Sequence, residues 1–226
     1  WNPWRASKSL IGFSMGNPEL RYSVLAISYV WTIAAMLSVQ FIPLAKNVLL
    51  ADKQVAAVML VAFSAGIAIG SVSINALLKG DISARYSAVS VLVMGGLLIN
   101  FYLLCRSWNL APAGGGLFSV GEFLAQPLAL VLIANLLLIA VAGGMFVVPL
   151  YAFLTTRVAV NQASRSVAAN NLISSVFMVM GAVVAGALGF LGIPLAEQLL
   201  ASLILCAVSA ATARKLHATE AGRAPE

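Results

Sequence analysis

Charged residues make up only 9% of this 226-residue sequence, against roughly a quarter in an average soluble domain. That deficit excludes an ordinary cytosolic fold. Histidine occurs once, as His217 near the C-terminus, and cysteine twice, as Cys105 and Cys206. Their spacing matches no zinc or redox motif. Cys105 ends one apolar run and Cys206 lies in the middle of another, so no disulfide is expected, and both read as small apolar residues. The seven acids form no cluster with the spacing of a carboxylate site, and no nucleophile or cofactor motif is visible. The sequence therefore predicts no enzymatic site, no metal and no cofactor.

What the sequence does have is apolar residues, 62% of the total, with a mean hydropathy of +1.00. They arrive in blocks of about 20, the length that crosses a bilayer as an α-helix. The net charge of +6 would raise the question of nucleic acid in a soluble protein. Here the basic residues fall between apolar blocks, where they act as a topology signal, and no nucleic-acid partner is predicted. The chain begins at Trp1 without an initiator methionine, and its first segment lacks the regions of a signal peptide. A segment upstream is expected.

Reading the apolar runs between charged or Gly/Pro-rich breaks predicts an all-α membrane protein with six spans, at residues 22–42, 54–78, 86–105, 128–155, 167–192 and 195–213. Residues 1–21 read as a cytoplasmic linker and residues 214–226 as a cytoplasmic tail. A β-barrel needs shorter segments of alternating polarity, whereas Leu128 to Ala142 is apolar on every face. Arg106 to Pro127, with Pro112 and Gly114, Gly115 and Gly116, reads as a flexible extracytoplasmic loop dividing the spans into two sets of three. The short break at Gly192, Ile193 and Pro194 forces an antiparallel hairpin.

Orientation follows from the basic residues. Arg5, Lys8, Arg21, Lys79, Arg85, Arg157, Arg165, Arg214, Lys215 and Arg223 lie on one side, and only Lys46, Lys53 and Arg106 on the other. Both termini are therefore expected in the cytoplasm. A three-plus-three arrangement is what one half of a major facilitator transporter shows, with nested inverted repeats, although no internal repeat is visible in the sequence.

Functional candidates are the polar groups inside apolar spans, where an unpaired amide is costly and usually faces the bundle or a water-filled path. Gln40 near the outer end of the first span reads either as a substrate-facing amide beside a helix end broken at Pro43, or as part of a helix that simply stops there. Lys46 is either a headgroup contact or a side chain snorkelling to the interface. Trp31 lines a pathway or packs between helices. Gly66 and Gly70 place small residues on one stripe, for which close helix packing is the default reading. Gly143, Gly144 and Pro149 share one apolar run, either as a gating bend or as a static kink. Tyr151 follows them. Asn170 and Asn171 sit at the cytoplasmic mouth of the fifth span. Arg157 and Arg165 hold an anionic headgroup or serve only as positive-inside residues. Asn75, Asn100 and Asn135 are single amides with no role assigned. Gly181, Gly186 and Gly189 favour tight packing.

The stretches ISYVWTIAAMLSVQFIPLAKNVLLADKQV (Ile27 to Val55), FSAGIAIGS (Phe63 to Ser71), GGMFVVPLYAFL (Gly143 to Leu154) and RSVAANNLISSVFMV (Arg165 to Val179) resemble the bacterial lysophospholipid transporter family of the major facilitator superfamily. Some members of that family are fused to an acyltransferase and an acyl-carrier ligase. The resemblance covers Arg21 to Ala213. It implies the C-terminal six helices of a twelve-helix fold, with the N-terminal half absent from this chain. It also implies movement of lysophospholipids, such as lysophosphatidylethanolamine, across the bacterial inner membrane towards the cytoplasmic leaflet. The expected partners are this amphiphilic substrate, membrane lipids and the missing half. After Ser71 the chain departs from the family's acidic-basic pair, carrying Asn75 and Ala76, then Lys79, Gly80 and Asp81, so no charge lock is carried over to that loop.

Other functions remain open from sequence. An efflux or metabolite carrier would show several ionisable residues in its cavity. The membrane module of a fused acyltransferase would continue into a further domain, whereas only the polar Arg214 to Glu226 follow the last span. A structural six-helix protein would have a reading frame starting near Trp1.

Overall fold

The computed structural model describes residues 3–78, 86–156 and 158–221. Helices account for nearly all of these: α1 (Pro3–Gly16), α2 (Pro18–Asn47), α3 (Lys53–Leu78), α4 (Ser87–Arg106), α5 (Val120–Leu124), α6 (Pro127–Thr156), α7 (Ala163–Phe190) and α8 (Leu195–Ala221). Six of them, α2, α3, α4, α6, α7 and α8, are long and apolar enough to cross a membrane. Large apolar side chains face outwards along them, including Val61 and Val72 on α3, Val93 on α4 and Val179, Met180 and Val183 on α7. Such continuous apolar exposure fits lipid as the surrounding solvent.

Local chemistry sets the helix ends. α2 opens with Pro18 at its first turn, and Asn17 accepts a hydrogen bond from the backbone N–H of Glu19 at 3.0 Å, satisfying one otherwise orphaned donor. Asp52 does the same for α3, accepting from the N–H groups of Gln54 at 2.9 Å and Val55 at 3.1 Å. The turn that follows α7 contains Gly192, whose φ of 74° is open to glycine at little cost. The N–H of Ile193 then closes the turn onto the carbonyl of Leu188 at 3.1 Å, and Pro194 precedes the start of α8.

The packing has an internal order that the sequence does not display. α3 packs most extensively on α6, and α2 on α7. α4 lies against α6, and α8 against α2. α4 and α8 also pack on each other, as α2 and α6 do more sparsely. Exchanging α2, α3 and α4 for α6, α7 and α8 maps α3–α6 onto α2–α7 and α2–α8 onto α4–α6, and leaves α4–α8 and α2–α6 each mapped onto itself. Three crossings separate equivalent helices, so the second set enters from the opposite side to the first.

Small residues make the closest approaches. A Cβ on Gly66, Gly70 or Gly144 would come under 3.0 Å from the facing backbone of α6 or α3, so these two helices meet backbone to backbone. On the equivalent α2–α7 pair, Gly181 faces Thr32, where an added Cβ would meet the threonine side-chain methyl at 2.6 Å and its backbone oxygen at 3.2 Å, and the hydroxyls of Ser28 and Ser174 share a hydrogen bond at 3.0 Å.

Several expectations are corrected. Residues 1–21 are no plain linker, because Pro3–Gly16 forms a helix docked on α7 and α2. α2 does not stop at Pro43 but runs on to Asn47. Proline there forfeits one backbone bond near a helix end, a loss the neighbouring packing outweighs. α8 extends past Ala213 to Ala221, because Leu216 is fully buried and Lys, Arg and Ala are good helix formers. The outer connection is not a loose loop. Trp108, Phe118 and Phe123 are buried in one aromatic cluster, with ring centroids 6.3 Å apart for Trp108–Phe118 and 5.3 Å for Trp108–Phe123. Phe118 pairs with the α2–α3 connection, donating to the carbonyl of Leu50 at 2.7 Å and accepting from the N–H of Asp52 at 3.0 Å. Ser119 and Glu122 form a capping box at the start of α5. Hydrogen bonds from the Ser119 backbone N–H, and then from its hydroxyl, hold the Glu122 carboxyl below its ordinary range.

Candidate functional site

A cavity of about 140 Å³ opens between α2, α3, α4 and α6. Its walls include Trp31 and Leu37 from α2, Phe63 and Ser71 from α3, Met94 from α4 and Gly143 from α6. Among the described residues the walls are almost wholly apolar, and Ser71 supplies a hydroxyl that donates to the carbonyl of Ile67 at 2.8 Å. The space exists partly because Gly143 has no side chain, whereas its neighbour Gly144 is spent on the contact with α3. The cavity is partly open rather than sealed, and an apolar occupant matches its lining. No ionisable group lines it.

One helical turn beyond Val147, which also lines the cavity, stands Tyr151. Its hydroxyl accepts from the Asn170 amide nitrogen at 2.9 Å and donates to the Asn171 amide oxygen at 3.3 Å. α6 and α7 thus bring three of the residues singled out in the sequence into one network. Asn170 is fully buried, and its amide oxygen has no hydrogen-bond partner. Turning the amide over would leave the nitrogen unpaired instead. One turn earlier on α7, the buried hydroxyl of Ser166 is also unpartnered. Buried polar atoms are normally satisfied, so this network between α6 and α7, which does not itself line the cavity, retains unused hydrogen-bonding capacity.

The remaining candidates lie elsewhere. Gln40 is buried at the far end of α2, where its amide nitrogen donates to the side-chain oxygen of Gln198 at 3.0 Å, and Gln198 in turn donates to the carbonyl of Ile193 at 2.8 Å. It ties α2 to α8 and lines neither the cavity nor the polar network. Lys46 is exposed in the last turn of α2. Arg165 donates to the Ser9 hydroxyl at 2.6 Å and lies 4.8 Å from the centre of the Phe13 ring, so it clamps α1 onto α7. Arg157 lies outside the described residues. Gly66 and Gly70 form the α3–α6 contact, and Pro149 is buried within α6 without ending it.

No family model, curated protein or solved structure matches this chain. The site is therefore judged on its chemistry. Its walls are apolar, a network of neutral polar groups lies one helical turn away on α6 and α7, and among the described residues no cluster of three His, Cys, Asp or Glu side chains is placed to hold a metal. Cys105 and Cys206 are free and buried on α4 and α8. The arrangement suits binding of a largely apolar molecule. Sequence reasoning missed Gln198, Ser28 and Ser174. Their signal was faint, because each is a single small or neutral polar residue in an apolar run, and only the facing helix gives it a role.

Proposed function

We propose that this chain is a six-helix half of a secondary transporter of the major facilitator type, moving an amphiphile of the lysophospholipid class by alternating access. The observation that carries the reading is the interchange of α2, α3 and α4 with α6, α7 and α8 in the packing, because nested inverted repeats of three helices characterise each half of that architecture. The substrate class draws support from the cavity. Apolar walls suit an acyl chain, whereas a sugar or amino-acid site needs more polar lining. In this reading a second six-helix half completes the pathway, both termini face the cytoplasm of a bacterial inner membrane, and the protein catalyses no covalent step.

The test is uptake and reacylation of external lipid. The protein is expressed from its complete reading frame in bacterial spheroplasts lacking their own lysophospholipid importer, and conversion of labelled lysophosphatidylethanolamine into diacyl lipid is measured. Conversion that depends on the protein supports both the transporter and its substrate. Correct insertion without conversion counts against the lysophospholipid and turns attention to another amphiphile.

A further inference from the structure

A second cavity, of about 280 Å³, lies on the same α2–α3 seam nearer the ends joined by residues 48–52. Phe41 and Ile42 from α2 and Leu60 from α3 form its apolar walls, and Lys53 lies among its lining residues at the start of α3. Phe41 belongs to this outer cavity and Phe63 to the inner one described above. The two rings meet edge to face, with centroids 5.8 Å apart at an angle of 69°. They are the partition between the cavities. Both rings are buried, while Ile42 is 62% exposed and Leu60 48% exposed on the outer side. The seam is suited to opening, because α2 touches α3 far less than either touches its main partner. Among the described residues Lys53 makes no ion pair, and the neighbouring Asp52 carboxylate is turned onto the N–H groups that begin α3.

We propose that the α2–α3 seam is a lateral access path for an amphiphile with one acyl chain and a phosphate-type anionic headgroup, arriving from the leaflet at the Lys53 end. Lys53 pairs with the headgroup at the mouth. The chain lies along Phe41, Ile42 and Leu60, and the Phe41–Phe63 ring pair turns aside to admit its end to the inner cavity beside Trp31. The occupant follows from the site's chemistry: a single cation at the rim of an apolar groove complements one negative charge on one chain. The proposal deepens the transporter reading and rests on it for direction of movement, but it makes a binding claim that is tested separately.

The experiment is photolabelling of the full chain in phosphatidylcholine nanodiscs, with lysophosphatidic acid carrying a diazirine at the end of its acyl chain and sites mapped by mass spectrometry. Labelling is expected on the inner wall between Phe63 and Ser71, to be displaced by unlabelled lysophosphatidic acid and not by diacyl phosphatidic acid. Lys53→Glu should lower that labelling by roughly fivefold or more, the scale of one lysine at a membrane surface, while a lysophosphatidylcholine probe loses less. Leu60→Trp, at an exposed position where folding is not threatened, should block the channel and abolish inner-wall labelling. Labelling spread over the lipid-facing residues of α7 and unchanged by either substitution would overturn the proposal, as would equal displacement by the two-chain lipid. Inner-wall labelling without uptake in spheroplasts would leave the path standing and count against the transport reading. Uptake without inner-wall labelling would do the reverse.

Discussion

Tyr151, Asn170 and Asn171 illustrate how burial decides what a hydrogen bond is worth. Removing the Tyr151 hydroxyl in Tyr151→Phe takes away the partner of the buried Asn170 amide, and leaving such a group unpaired costs about 1–3 kcal/mol. Asn171 is exposed, so Asn171→Ala should stay within about 0.5 kcal/mol of the parent. Thermal unfolding in detergent should rank the two in that order, and the opposite ranking would show that the network is not closed as described. Gln40 and Gln198 make a second case. Gln198→Leu strands the Gln40 amide in an apolar environment, whereas Gln40→Leu with Gln198→Leu removes both partners. The double variant should therefore be more stable than the sum of the single losses predicts, with a coupling of about 0.6–2 kcal/mol in a double-mutant cycle. The polarity of Gln40, Asn170 and Asn171 was legible in the sequence, but not that Gln40 pairs with Gln198 while the asparagines meet Tyr151, because that depends on which helix faces which.

At the level of helices, backbone approach is the controlling feature. A Cβ on Gly70 would fall 2.8 Å from the Val141 carbonyl carbon and 2.9 Å from its Cα, and backbone atoms cannot step aside as a flexible side chain does. Gly70→Ala should force α3 off α6 and sharply reduce the yield of monodisperse protein. At Gly186 a methyl group would meet nothing within 4 Å, so Gly186→Ala should leave yield and melting temperature unchanged or raised. Size-exclusion profiles of the two variants, side by side, check the contrast. The Gly66–Gly70 stripe was readable from its spacing. Gly143 and Gly144 were not separable by sequence, yet one opens the cavity and the other closes a helix contact. The docking of α1 was missed because its short amphipathic helix carries no span signal, and it is held by Arg165 from the far end of the chain.

For the molecule as a whole, the interchange of two three-helix sets gives equivalent helices opposite orientations, and the distribution of basic residues is the basis on which both termini are proposed to face the cytoplasm. Ala113 lies exposed in the α4–α5 connection and Ala218 exposed near the end of α8, at opposite ends of the bundle. With Cys105 and Cys206 buried, introduced cysteines can be read against a low background. In intact bacterial cells made permeable only at the outer membrane, Ala113→Cys should react with a membrane-impermeant maleimide. Ala218→Cys should react only after the inner membrane is opened. The reverse pattern would invert the assigned orientation.

The sequence by itself determined the number and approximate limits of the six apolar helices and the asymmetry of their connections, because hydropathy and span length are properties of contiguous residues summed along the chain. Only the tertiary structure decided that Phe41 and Phe63 divide one seam into two cavities, that Tyr151 joins Asn170 and Asn171, that Gln40 is tied to Gln198, and that the triplets α2–α4 and α6–α8 exchange in the packing. Each of these depends on contacts between residues far apart in sequence. In helices that are apolar nearly all round, no amphipathic stripe marks in advance which face a neighbour will cover.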